Sequence, residues 1–439
     1  MTTSAKLLAP LLAIVGPAAV MTAGIMGAGS TVSLLTAGCY FRYSLLWAVL
    51  LSLPVIVVCQ DTASRIGAVA EGKGMMRIIA DQVGVPVMWL IVFPLLFTCI
   101  TANIGQLGAM TAATIGLINS IAGPEVVDPI PSKQLEYTFY VGLALVCLAL
   151  NATGGYKRTE KILSYLLFLV LICFFVVAVR AFFHLSEIEA MLAGLVPKIP
   201  EDVAVEGADP RKGFVSFAAI IGGGVAATAI LSFPYFTTEG GYNLENVRGQ
   251  FKKHVLLLGA VFGFYSCILL IAGGYALHPL EGSSGFATAR ELGQALSVLG
   301  PAGPILFSIG LLICAYTTLI VVAQLAAYFV LDCLGMDWRF RKGNYTFMGV
   351  FAAFVLGPAM IGPIWAMPPL LKVVISMVVN SLVAPFAIVL IVILINKRAF
   401  AGELKASPVR NVFLAYSVCV AGFTCYRAAV GFLEYLNAA

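Results

Sequence analysis

Two glycine-rich interruptions decide how this chain folds: Gly24-Ile25-Met26-Gly27-Ala28-Gly29-Ser30 and Gly222-Gly223-Gly224-Val225-Ala226-Ala227-Thr228. Each breaks an apolar run that is otherwise long enough to cross a bilayer as a helix, for which about 20 residues suffice. Working outward from these two runs gives eleven candidate spans, at 8–37, 43–60, 86–117, 135–151, 162–183, 214–236, 255–276, 303–331, 345–361, 368–396 and 411–433. The interrupted runs are the first and the sixth. Five plus five plus one makes eleven, so the breaks occupy equivalent places if the chain is two five-helix repeats with an extra helix. Broken helices at matching positions of two inverted halves point to a substrate site at the bilayer midplane of a secondary transporter.

Composition supports the spans. Of 439 residues, 61% are hydrophobic and 11% charged, whereas soluble domains carry about 45–50% apolar and about 25% charged residues. A folded chain with so little charge cannot cover itself with polar groups in water. A soluble enzyme, a disordered scaffold and a nucleic-acid binder are therefore excluded. Strands have no closed partner here and no period-2 alternation, so the spans are helical. The ten cysteines lie mostly in apolar runs and read as small hydrophobes; His184, His254 and His278 are dispersed and form no zinc-type cluster. Met1 to Lys6 is too short for the charged part of a signal peptide, so the first run is expected to stay as a helix.

The basic residues give an orientation. Alternate connections carry Arg65, Lys73 and Arg77; Lys157, Arg158 and Lys161; Arg248, Lys252 and Lys253; Arg339, Arg341 and Lys342; and Lys397, Arg398, Lys405 and Arg410. The opposite connections carry little more than Arg42, Lys133 and Arg290, apart from the acid-rich loop 180–213. The N-terminus is expected in the cytoplasm and the C-terminus outside, in the cell membrane.

At this point the residues resemble a known family. Gly16-Pro17 through Ser30 is similar to the first helix of the NRAMP metal transporters, where Gly-Pro is followed about ten residues later by an Asp-Pro-Gly-Asn signature. Cys59–Gly67 (CQDTASRIG), Ala152–Lys161, Leu299–Leu334 and Ser376–Phe386 (SMVVNSLVAPF) resemble further stretches of the family in order. The resemblance, nearest in character to the magnesium-transporting relatives, implies a LeuT-type inverted repeat with a divalent metal between the unwound parts of helices 1 and 6.

The chemistry departs from that family where it matters. The signature aspartate falls on Gly27 and its asparagine on Ser30; the family's Met-Pro-His falls on Ala226-Ala227-Thr228; an acidic pair linked to proton passage falls on Asn103 and Gln106. Thioethers favour transition metals, whereas magnesium prefers oxygen and keeps waters. Asn103, Gln106 and Thr228 exchange no protons near neutral pH.

These readings combine into one expectation, an all-α membrane transporter with repeats at about 8–183 and 214–396 and an extra helix at 411–433. It would move divalent cations, Mg²⁺ first with Mn²⁺ tolerated, without coupling to protons. Carbonyls of Gly24 and Gly223 and the Ser30 hydroxyl would hold the metal, Gly27 and Ala226 would give room for a partly hydrated ion, and Thr228, Asn103 and Gln106 would mark a silent proton path. No catalysis, cofactor or obligatory protein partner is expected; the partners are the cation and the lipid. The competing reading is a small neutral or zwitterionic solute such as an amino acid, held by helix N-termini at the same breaks. Asp61, Glu239 and Asp332 are expected to face solvent at helix ends, Trp89, Trp338 and Trp365 to lie in an interfacial belt, and Asn380 and Ser381 to serve packing.

Overall fold

The computed structural model describes residues 17–70, 72–123, 126–128, 131–152, 171–205, 208–278, 288–341, 343–365 and 367–438. Among them, nine helices are long and apolar enough to cross a membrane. They are α3 (Leu46–Val69), α5 (Val85–Ile121), α6 (Lys133–Ala152), the broken pair α9 (Gly213–Gly224) and α10 (Ala227–Glu239), α11 (Val247–Ala276), α12 (Ala302–Cys333), α13 (Tyr345–Ile361), α14 (Pro369–Asn396) and α15 (Pro408–Ala438). Each coincides with one expected span. Of the first expected span, the described part is α1 (Pro17–Ile25) and α2 (Ala28–Phe41). Of the fifth, it is α7 (Leu171–Ala181), after which α8 (Leu185–Ala193) turns away by 103°. Positions 8–16 and 162–170 lie outside the described residues, as do Lys157, Arg158 and Lys161. A short helix α4 (Met75–Gln82) precedes α5, and a hairpin of β1 (Val203–Val205) and β2 (Ala208–Arg211) leads into α9.

Small residues let the central helices approach backbone to backbone, as lipid-embedded bundles require. A Cβ on Gly38 of α2 would stand 2.3 Å from the Leu270 carbonyl oxygen of α11, and one on Gly222 of α9 would stand 1.9 Å from the Met377 carbonyl oxygen of α14. The broken helices are thereby clamped against unbroken neighbours. Elsewhere α12 and α14 pack along α5, and α15 covers α14 and α3.

Charged residues near helix ends are more buried than expected. One end of the bundle gathers α4, the start of α11 and the connections after α12 and α14: Lys397 Nζ donates to the Gln82 carbonyl (2.8 Å), and Arg248 Nη2 to that of Glu403 (2.9 Å). Here Asp332 is not solvated. Its Oδ2 accepts from the Met76 N–H (2.7 Å), the Arg77 N–H (3.2 Å) and the Tyr235 hydroxyl (2.7 Å), capping α4, whose first N–H groups have no helical partner. Trp338 likewise leaves the expected belt: the loop after α12 folds back and sets its ring edge-on to Tyr235 at 4.9 Å. At the opposite end Lys372 pairs with Glu136, and Glu187 of α8 accepts from Arg42 Nη2 (2.8 Å) and the Tyr43 hydroxyl (2.6 Å). Burial and that carboxylate push the Tyr43 phenol above its ordinary pKa.

Candidate functional site

Where α1 stops, Met26 and Gly27 intervene before α2; where α9 stops, Val225 and Ala226 intervene before α10. Neither Gly27 nor Ala226 caps the following helix with a side chain. Each break therefore turns carbonyl oxygens from one half-helix and N–H groups from the other toward the same space. The two breaks touch, since a Cβ on Gly223 would lie 3.0 Å from Ser30 Oγ. Between them lies a cavity of about 50 Å³. That exceeds the roughly 10–15 Å³ needed to hold a water.

The wall carries Gly24, Gly27, Ser30, Gly223, Ala226 and Thr228, six residues singled out in the sequence. Ser30 Oγ donates to the Ile25 carbonyl (2.6 Å) and keeps its lone pairs for a guest. The Gly24 carbonyl accepts from Thr318 Oγ1 (3.2 Å), which leaves one lone pair. The pair Asn103 and Gln106 is divided. Asn103 turns to α13, where its Nδ2 donates to the Phe354 carbonyl (2.7 Å), whereas Gln106 lies on the cavity wall. Among the described residues Gln106 is fully buried, yet neither its Oε1 nor its Nε2 has a hydrogen-bond partner.

Gly27 does not provide room, contrary to the expectation. A Cβ there would fall 1.9 Å from Thr318 Oγ1, so the hydroxyl of α12 already stands where a side chain at 27 would go. The backbone of Gly27, at φ −85° and ψ −176°, is extended and open to any residue; the approach of Thr318 is what demands glycine.

Neither Asp61 nor Glu239 lies on the cavity wall. Asp61 is fully buried, not solvent-facing: its Oδ2 takes Arg65 Nε (2.8 Å) and Arg410 Nη1 (2.6 Å), and its Oδ1 meets His254 Nδ1 (2.8 Å). Three charged or titratable partners converge on this carboxylate, which suits a structural cluster joining α3, α11 and α15. Glu239 accepts from the Tyr328 hydroxyl (2.7 Å) and the Phe340 N–H (3.2 Å). The described wall of the cavity carries no charged side chain.

The wall also carries residues not expected there from the sequence, among them Thr318, Met377 and Asn380. Asn380, expected to serve packing, has a buried Oδ1 without a hydrogen-bond partner among the described residues. A polar residue in the middle of an apolar run was the available signal for it. Thr318 and Met377 had none.

Comparison with known proteins agrees with the fold. The family model described as natural resistance-associated macrophage protein-like matches residues 18–429. A protein named divalent metal cation transporter MntH from Klebsiella pneumoniae subsp. pneumoniae is 25% identical over 403 residues, covering 90% of this chain and 88% of its own. One of the same name from Yersinia enterocolitica is 24% identical over 327 residues, 73% of each. Among solved structures, an Eremococcus coleocola manganese transporter superposes with a TM-score of 0.66 at 17% identity, over 96% of this chain and 88% of that one. A nucleobase-cation-symport-1 family transporter superposes more loosely, with a TM-score of 0.52 at 12% identity over 96% and 93%. With the family model spanning both breaks and nearly the whole bundle, this chain belongs to the NRAMP family of membrane transporters.

Proposed function

We propose that this protein carries a divalent metal cation across the cell membrane by alternating access, and does so without passing protons along Asn103, Gln106 and Thr228. The observation that carries the reading is the cavity between two uncapped breaks, whose mostly apolar wall is interrupted by the hydroxyls of Ser30, Thr228 and Thr318 and the amides of Gln106 and Asn380. Relatives named for divalent metal and for manganese support the substrate class. In this reading Gly24 and Gly223 offer carbonyls and Ser30 its hydroxyl, while Ala226 and Thr228 line the space.

A neutral wall cannot replace a whole hydration shell, because stripping an ion of water costs far more than a few dipoles return. The ion therefore keeps some waters, and the size of the cavity decides how many. Magnesium prefers six ligands and sheds water reluctantly, whereas this site asks the ion to exchange part of its shell for wall oxygens. Manganese, which yields its waters more readily, fits better. The order expected from the sequence, magnesium before manganese, is reversed in this reading. An amino acid with any sizeable side chain exceeds the same space.

The proposal includes the arrangement in the membrane: halves at about 8–183 and 214–396, an extra helix at 411–433, the N-terminus in the cytoplasm and the C-terminus outside. The test is influx into proteoliposomes of the full chain. Mn²⁺ accumulating with no acidification of the lumen supports the reading. Uptake of labelled amino acids without Mn²⁺, or proton influx in step with Mn²⁺, overturns it.

A further inference from the structure

Resting on that reading, we infer that Met377 of α14 supplies a thioether to the transported ion, so that the sulfur absent at Ala226 is restored from a different helix. The site is then selective for transition-metal and softer divalent ions over magnesium and calcium.

The position of the sulfur is fixed by the two breaks. A Cβ on Gly29, in the first turn of α2, would lie 2.7 Å from Met377 Sδ, and one on Gly223, in the last turn of α9, would lie 3.8 Å from it. Ser30 Oγ flanks the same point of Gly223 at 3.0 Å. The thioether and the hydroxyl therefore stand side by side on the cavity wall. Glycine at 29 is what admits the sulfur, because any side chain there would displace it. Gly222 brings the α14 backbone close enough for Met377 to reach the breaks.

A methionine can also be a gap-filler in a core. A second observation points instead to a ligand. On the same wall, the buried Gln106 Oε1 and Asn380 Oδ1 have no hydrogen-bond partner among the described residues. Buried amide oxygens without partners are costly unless something occupies the space they face. Two amide oxygens, a hydroxyl and a thioether make a mixed hard and soft donor set. Magnesium and calcium take oxygen alone and gain nothing from sulfur, whereas later and larger divalent metals do.

The experiment compares influx of Mn²⁺, Cd²⁺, Mg²⁺ and Ca²⁺ in proteoliposomes of the wild type, Met377→Leu and Met377→Gln. Cadmium X-ray absorption is measured on the same proteins. The Cd²⁺-to-Mg²⁺ preference is expected to fall roughly tenfold or more in both variants, as loss of a metal-holding group does. The sulfur contribution to the cadmium spectrum is expected to decrease in step. A thermal unfolding transition in detergent within a few degrees of wild type shows that the fold survives in each variant. Preference within about twofold of wild type, with the sulfur signal unchanged, overturns the assignment of Met377 while leaving divalent transport intact. Failure of the wild type to move any divalent ion overturns the proposed function and this inference together.

Discussion

Gly27→Ala adds a single carbon to this protein, and its effect follows from one distance. The new Cβ would lie 1.9 Å from Thr318 Oγ1, where ordinary contact begins at 3.4 Å. The α12 side chain must therefore retreat by about 1.5 Å, the difference of those two values, inside a close-packed interior. Overpacking of this kind costs about 1–3 kcal/mol, and the severity of the overlap puts this case at the upper end. Thr318→Ala alone loses the hydrogen bond to the Gly24 carbonyl, about 1 kcal/mol. It also removes Oγ1 and Cγ2, leaving Thr318 Cβ at 2.9 Å, which a small shift relieves. The double variant should then lose little more than Thr318→Ala, a coupling of about 2 kcal/mol. Thermal unfolding of the four proteins in detergent, with and without denaturant, closes the cycle. Gly27→Ala as stable as wild type, or losses that simply add, would refute the claim that Thr318 occupies the place of a side chain at 27.

The same contact governs restoration of the family's acid. Gly27→Asp alone should fold poorly, whereas Gly27→Asp with Thr318→Ala should fold and bind Mn²⁺ roughly tenfold tighter in a calorimetric titration, because a carboxylate then faces the cation. Gln106→Leu should leave stability unchanged or raise it by about 1 kcal/mol, since an unsatisfied amide is removed, while Mn²⁺ affinity falls; a destabilised variant that still transports would assign Gln106 to packing. Ala226→Met should nearly fill the cavity and abolish influx of a hydrated ion with folding retained; unchanged transport of every ion would contradict the site. Asp61→Asn should cost about 3 kcal/mol, because it leaves the half-buried Arg65 and Arg410 without their carboxylate, measured as a fall in unfolding temperature with ion selectivity unaltered.

Much of the architecture was legible because it depends on runs and interruptions. Apolar stretches of bilayer length mark helices wherever they occur, and glycine clusters within them mark breaks; both signals are local. The depth of a charge is not local. Asp61 and Asp332 stand near the ends of α3 and α12, and nothing in their neighbourhoods distinguishes a solvated end from a buried one. The partners that bury Asp61 come from α11 and α15, and His254 alone is 193 positions away. Asp332 is held by Met76 and Tyr235, on elements separated from it in the chain.

The site was partly legible for the same reason. Its two breaks came from pattern, so Gly24, Ser30, Gly223, Ala226 and Thr228 could be named. Thr318 and Met377 enter from unbroken helices, where a threonine or a methionine in an apolar run carries no mark of its direction. They reach the breaks only because Gly27, Gly29 and Gly222 let those helices come close. Asn103 and Gln106 share a helix and a sequence signal, yet Asn103 turns its Nδ2 to the Phe354 carbonyl of α13 and Gln106 lines the cavity. That division is set by packing alone.

Transport by this protein requires a cation to sit between the two breaks. Crystals of the full chain soaked in Mn²⁺ and measured at the manganese absorption edge test this directly. An anomalous peak is expected within the cavity, beside Ser30, Gly223 and Met377. A peak confined to surface carboxylates, or an organic molecule filling that space in its place, would contradict it.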